Sequence, residues 1–210
     1  MSLGELVEGL RTKIENGLTS QDLGWLQLVD PPRTLRFAPL ELAKEVLCPQ
    51  LPQLFRAISD DREVDNDISI AYSQPEAFRI LATLLCIECS RDTLQRFRED
   101  IIRNHGSSIS DKDLPITEEE AHHHFGELGP MFYHRQYDFC PVILKENEVV
   151  ECTGRATCLR LPFLSSKALG EGSSGDVVKV KVPPGHFQFR EKSQGTNKTV
   201  GFPCPKAKFC

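Results

Sequence analysis

The chain has 210 residues, 40% of them hydrophobic and 26% charged, with a net charge of -5. That length suits one or two domains with a real core, and the composition as a whole is that of a globular protein. Charges of both signs are interspersed, which argues against a broad basic face for nucleic acid or an anionic membrane.

The first part of the chain reads as helical. Leu3, Leu6, Val7, Leu10 and Ile14 fall at the spacing of a single apolar stripe. Ser2 and Glu5 have capping-box spacing before it, and Asn16-Gly17 ends it. Leu23, Leu26 and Leu28 suggest a second short helix, stopped at Pro31. "PLELAKEVL" and "QLFRAIS" predict further short helices punctuated by Pro49 and Pro52. The strongest helix is expected over about 75–89, with Pro75 as its first residue. Ser90 caps the next, whose stripe is Leu94, Phe97, Ile101 and Ile102. Gly106–Asp113 is a polar loop, and Thr117 with Glu120 opens "EEEAHHHFG" as a second capping box. No fixed period recurs, so a solenoid is not expected.

From Phe139 the rhythm changes to that of strands. "CPVILKENEVVECT" places two apolar runs around Lys145–Glu148, the pattern of a hairpin. "DVVKVKV" alternates Val178, Val180 and Val182 with Lys179 and Lys181, the signature of a half-buried strand. Between an extended stretch and this strand lies "LGEGSSGDV", with Gly170, Gly172 and Gly175 in Gly-x-Gly-x-x-Gly spacing. A dinucleotide fingerprint would open a helix after its glycines, and a Walker loop would end in Gly-Lys-Ser or Gly-Lys-Thr. Strand, glycines, strand is a third arrangement.

Other motifs carry less. The eight cysteines (48, 86, 89, 140, 152, 158, 204 and 210) form no paired framework. Cys86 and Cys89 lie in an apolar run without the second pair a zinc ribbon needs, so packing is the expected role. His122–His124 point in different directions on a helix and cannot jointly hold an ion. "DDREVDNDISI" from Asp60 has the acids of a calcium loop. It has Asn66 where the loop needs glycine and Tyr72 where it needs glutamate, and is expected to be a solvated loop. "NKT" at Asn197 fits a glycosylation acceptor that matters only on a secretory route. The start, "MSLGELVEGLRTKIENG", lacks a basic flank followed by an apolar run, and no stretch reaches the ~18 apolar residues of a membrane span. Cytoplasm or nucleus is the expected compartment, with no nucleic-acid or membrane partner.

"LGEGSSGDVVKV" resembles the glycine-rich loop of a eukaryotic-type serine/threonine protein kinase. The wider order, a helical head, then "YDFCPVIL", "LPFL", a lysine and the loop, resembles kinase-like proteins of filamentous fungi. The resemblance implies ATP as ligand. Gly170, Gly172 and Gly175 would let the backbone approach its phosphates, with Ser173 and Ser174 at the tip. Leu169 and Val177 would cover the adenine ring.

The departures from that family are also in the sequence. A kinase requires a strand lysine, a helix glutamate, a catalytic-loop aspartate and asparagine, and a metal-binding aspartate. Neither His-Arg-Asp nor Asp-Phe-Gly occurs in the 210 residues, and no catalytic or metal-ligating residue is assigned. Lys206, the one candidate for the strand lysine, stands in "PCPK", whose prolines oppose a strand. The resulting expectation is an α+β chain. A helical domain spans 1–137 and the start of an antiparallel kinase small lobe spans 138–182. A poorly ordered tail over 183–210 ends a truncated kinase domain, which by itself binds ATP weakly or not at all. The alternatives are a non-catalytic helical interaction or regulatory module with an unidentified protein partner, a nucleotide-binding protein of another class, and an ordinary hairpin turn.

Overall fold

The computed structural model describes residues 2–20, 36–59, 64–73, 77–87, 89–103, 109–146, 148, 160–172 and 175–189. They form helices and short strands, an α+β content, and fall into two units. The first comprises Met1–Leu18 with Ala38–Cys140, the second Thr19–Phe37 with Pro141–Cys210.

In the first unit, α1 (Leu3–Gly17) begins at a complete capping box: the Ser2 side chain accepts from the Glu5 amide, and the Glu5 carboxylate accepts from the Ser2 amide. Its stripe of Leu6, Leu10 and Ile14 is buried, with Leu3 and Val7 partly buried against the same core. At Gly17, the last residue of the helix, a Cβ would meet the end of the Leu42 side chain. Then come α2 (Leu42–Leu47) and α3 (Leu51–Ile58), separated by a tight turn over Cys48–Gln50 that accommodates Pro49. Residues 21–35, including the helix expected at Leu23–Leu28, lie outside the described residues.

The acid-rich stretch expected as a solvated loop is largely a helix, α4 (Val64–Ser73). Val64, Asp67, Ile68 and Ala71 recur at i, i+3, i+4 and i+7, and all four are buried. Asp67 therefore occupies a core position, where its Oδ2 accepts from Arg98 Nε at 2.5 Å. Residues 60–63 are not described.

The central helix is α5 (Phe78–Cys86), buried on nearly every face from Phe78 to Leu85, as befits an element surrounded by others. It starts later than expected and Ala77 supplies no side-chain cap; residues 74–76 are outside the described set. Asp111, 31 residues downstream of Ile80, caps it instead. Its carboxylate accepts from the Arg79 amide at 2.9 Å and the Ile80 amide at 3.0 Å. Burial pushes the Asp111 carboxyl up from its ordinary value, against the pull of these amides. Asp111→Ala should cost about 0.5–2 kcal/mol, the range for losing a helix cap; reversible thermal unfolding of the variant checks this.

Ser90 caps α6 (Arg91–Phe97) through the Thr93 amide, as its sequence predicts. The helix then widens into a π-turn over Arg98–Arg103. Leu94, Phe97 and Ile102 are buried, and Arg98, one turn past Leu94, is buried with them. A second complete capping box, Thr117 with Glu120, opens α7 (Glu118–Phe125). The following helix α8 (Gly129–Gln136) packs on α7 through stacked Phe125 and Phe132 rings, 4.1 Å apart. Buried Gln136 donates to the Ile116 carbonyl and accepts from its amide, both at 2.8 Å. Arg135 joins α8 to α1 through Glu15 and also pairs with Asp138 at 2.8 Å.

The second unit is built of strand pairs. β1 (Thr19–Ser20) runs antiparallel to β2 (Arg36–Phe37). β3 (Leu144–Lys145) pairs with β6 (Phe187–Gln188) in parallel, and β4 (Ser165–Gly172) runs antiparallel to β5 (Gly175–Lys181). Two expectations change here. An antiparallel lobe did not include a parallel pair, yet the Leu144 amide donates to the His186 carbonyl and the Glu146 amide to the Gln188 carbonyl, each at 2.9 Å. Lys145, expected in the turn of a hairpin, is in β3 instead, and the second apolar run expected after Glu148 lies outside the described residues. The stretch expected to lose order from Pro183 also carries structure. Its His186 is 1% exposed and meets Phe37 edge-on at 5.6 Å. Residues 190–210, with Lys206 and Asn197, are not described. Among the described residues, no helix is long and apolar enough to cross a membrane.

Candidate functional site

The glycine motif lies on the β4–β5 hairpin, built upward from its alternating strand. Val178 is 7% exposed and Val180 half-buried, while Lys179 and Lys181 are exposed. The valines anchor one face and set the register. Ser165 pairs with Lys181, Lys167 with Lys179, Ala168 with Val178, Gly170 with Val177, and Gly172 with Gly175. The strands are therefore joined at the Gly172–Gly175 pair, with Ser173 and Ser174, outside the described residues, between them.

The pairing shifts by one residue between Ala168 and Gly170, leaving Leu169 as the extra residue of a bulge. Gly170 has φ of 156°, with no atom within 4 Å of where a Cβ would lie. Glycine is needed here for its backbone conformation, not for lack of room. The bulge leaves Leu169 59% exposed, and Val177 directly opposite Gly170 is half-buried. Leu169, Gly170, Gly172, Gly175 and Val177 thus lie together on one hairpin. An exposed leucine and a half-buried valine lie beside Gly170, and Glu171 pairs with Asp176 between it and the turn.

The alternation around Lys179 and Lys181 was readable in the sequence. That Lys167 stands directly across from Lys179 was not, because the bulge determines the cross-strand register.

Among the described residues, neither the cysteines nor the histidines form a second site. Among the described residues, no group of three or more His, Cys, Asp or Glu side chains is placed to hold a metal ion. His122–His124 are exposed along α7, and His124 is held below its ordinary value by partial burial and by His123. Burial pushes the thiols of Cys86 up to about 11 and of Cys89 and Cys140 up to about 12. For Cys86 it outweighs the nearby Arg135 guanidinium, which favours the thiolate. These are protonated, poorly nucleophilic thiols at neutral pH. Unfolded thiols ionise near pH 9, so above it the folded state retains protons that the unfolded state has lost. Their contribution should be fully present below pH 9 and decline between about pH 9 and 12. Thermal melts at stepped alkaline pH should show that decline, and Cys140→Ala should make it shallower.

No family model, no curated protein and no solved structure matches this chain.

Proposed function

We propose that Leu169–Val177 is a nucleotide-covering hairpin of the protein kinase type, with ATP as ligand. The observation that carries this reading is the antiparallel strand–glycine–strand arrangement itself, with glycines on both sides of the turn and an obligatory glycine at position 170. A glycine loop that opened a helix would have supported dinucleotide or Walker-type binding instead. Gly170, Gly172 and Gly175 would admit the phosphates to the backbone, and Leu169 and Val177 would cover the base.

When bound, ATP supplies a transferable phosphoryl group, and this chain holds it without using it. The sequence contains neither His-Arg-Asp nor Asp-Phe-Gly, hence neither the base nor the metal ligands phosphoryl transfer needs. A hairpin covers its ligand from one side only, so the affinity should be no tighter than about millimolar, or ~4 kcal/mol. Calorimetric titration of the full chain with ATP and magnesium tests this. Weak binding abolished by Gly172→Val is expected; binding indifferent to that substitution would reject the proposal.

A second reading, a helical interaction or regulatory module, is favoured by one observation: the main hydrophobic cluster, from Leu6 to Phe139, is drawn from the helical unit. It predicts that ATP leaves the hairpin untouched.

A further inference from the structure

Directly opposed residues share a face of an antiparallel pair, as do alternate residues along each strand. Lys167, Lys179 and Lys181 therefore stand on one face of the β4–β5 hairpin, opposite the face of Val178 and Val180. All three are exposed. Lys167 lies directly across from Lys179, and like charges in that position destabilise a pair of strands. Among the described side chains, a set that leaves out Glu171 and Asp176 of the same hairpin, no acidic group forms an ion pair with any of the three. Repulsion is thus built into the middle of a hairpin that its valines and bulge otherwise hold in register.

We propose that this lysine face binds a compact polyphosphate anion. Lys179 and Lys181 are roughly 6.6 Å apart along the strand, and Lys167 faces Lys179 across roughly 5 Å. Three flexible stems so placed can bring their ammonium groups around one short chain of phosphates. Binding would convert the Lys167–Lys179 repulsion into shared attraction. A long nucleic acid is disfavoured, because it would run beyond this face along a chain of net charge -5. An acidic peptide carries less charge in the same length. The inference goes beyond the nucleotide proposal, since it requires neither a base nor the glycine turn.

The test is calorimetric titration of tripolyphosphate into the full chain at about 10 mM ionic strength, where screening extends only beyond ~30 Å. Saturable binding is expected, weakened at least about tenfold by Lys179→Glu and to a smaller degree by Lys179→Gln. Without anion, Lys179→Glu should raise the thermal midpoint, because it replaces repulsion across the strands by attraction. Absence of saturable binding, or an affinity unchanged in both variants, would overturn the proposal. So would tighter binding of a short DNA duplex. ATP separates the two proposals. Equal affinities for ATP and tripolyphosphate, both indifferent to Gly172→Val, would support the lysine face and reject the nucleotide hairpin. ATP binding lost in Gly172→Val and untouched by Lys179→Glu would do the reverse.

Discussion

Asp67→Ala should destabilise the helical unit by about 3–5 kcal/mol, the cost of removing one member of a buried ion pair. Asp67 and Arg98 are each 1% exposed, and the carboxylate accepts from Arg98 Nε at 2.5 Å. Removing the aspartate takes this acceptor away from a guanidinium that is itself 1% exposed. The double replacement Asp67→Val with Arg98→Met removes both charges and should regain most of the loss, because the pair's attraction is largely offset by its desolvation. Urea unfolding followed by far-ultraviolet circular dichroism measures both. A cost below about 1 kcal/mol for the single variant, the range of surface pairs, would show that the pair is solvated.

Gly129→Ala should also be costly, against the usual preference of helices for alanine. A Cβ at Gly129 would lie 2.5 Å from His122 Cα, 2.6 Å from His122 N and 2.9 Å from the Ala121 carbonyl carbon. These are backbone atoms of α7 and cannot swing aside, so α8 must move away and disturb the Phe125–Phe132 stack. Overpacking of this kind costs about 1–3 kcal/mol. Gly9→Ala is the control: no atom lies within 4 Å of its Cβ position in α1, so it should stabilise by about 0.5–1 kcal/mol. A lower thermal midpoint for the first variant and a higher one for the second are expected. Stabilisation by both would mean that α7 and α8 are not in close contact at Gly129.

What the sequence made legible was local. Both capping boxes, the Ser90 cap and the α1 stripe depend on residues three or four apart, and each appears in the structure. What it hid was long-range. Asp67 resembles a loop acid until Arg98, 31 residues later, neutralises it inside the core. The α5 N-terminus has no visible cap because Asp111 arrives from a distant loop. The parallel β3–β6 pair joins segments more than 40 residues apart, beyond the reach of any turn signal. At the glycine motif, the alternation of valine and lysine announced β5. The bulge at Leu169, which brings Lys167 opposite Lys179 and Val177 opposite Gly170, follows from a register that no single strand encodes.

The most direct test of the nucleotide-covering hairpin is amide mapping by nuclear magnetic resonance. The full chain is titrated with ATP and magnesium, and separately with tripolyphosphate. The account predicts shifts at Leu169, Gly170, Gly172, Gly175 and Val177 with ATP that exceed those with tripolyphosphate, since only ATP brings a base to Leu169 and Val177. Identical shift patterns for the two ligands, or ATP-specific shifts confined to the helical unit, would contradict it.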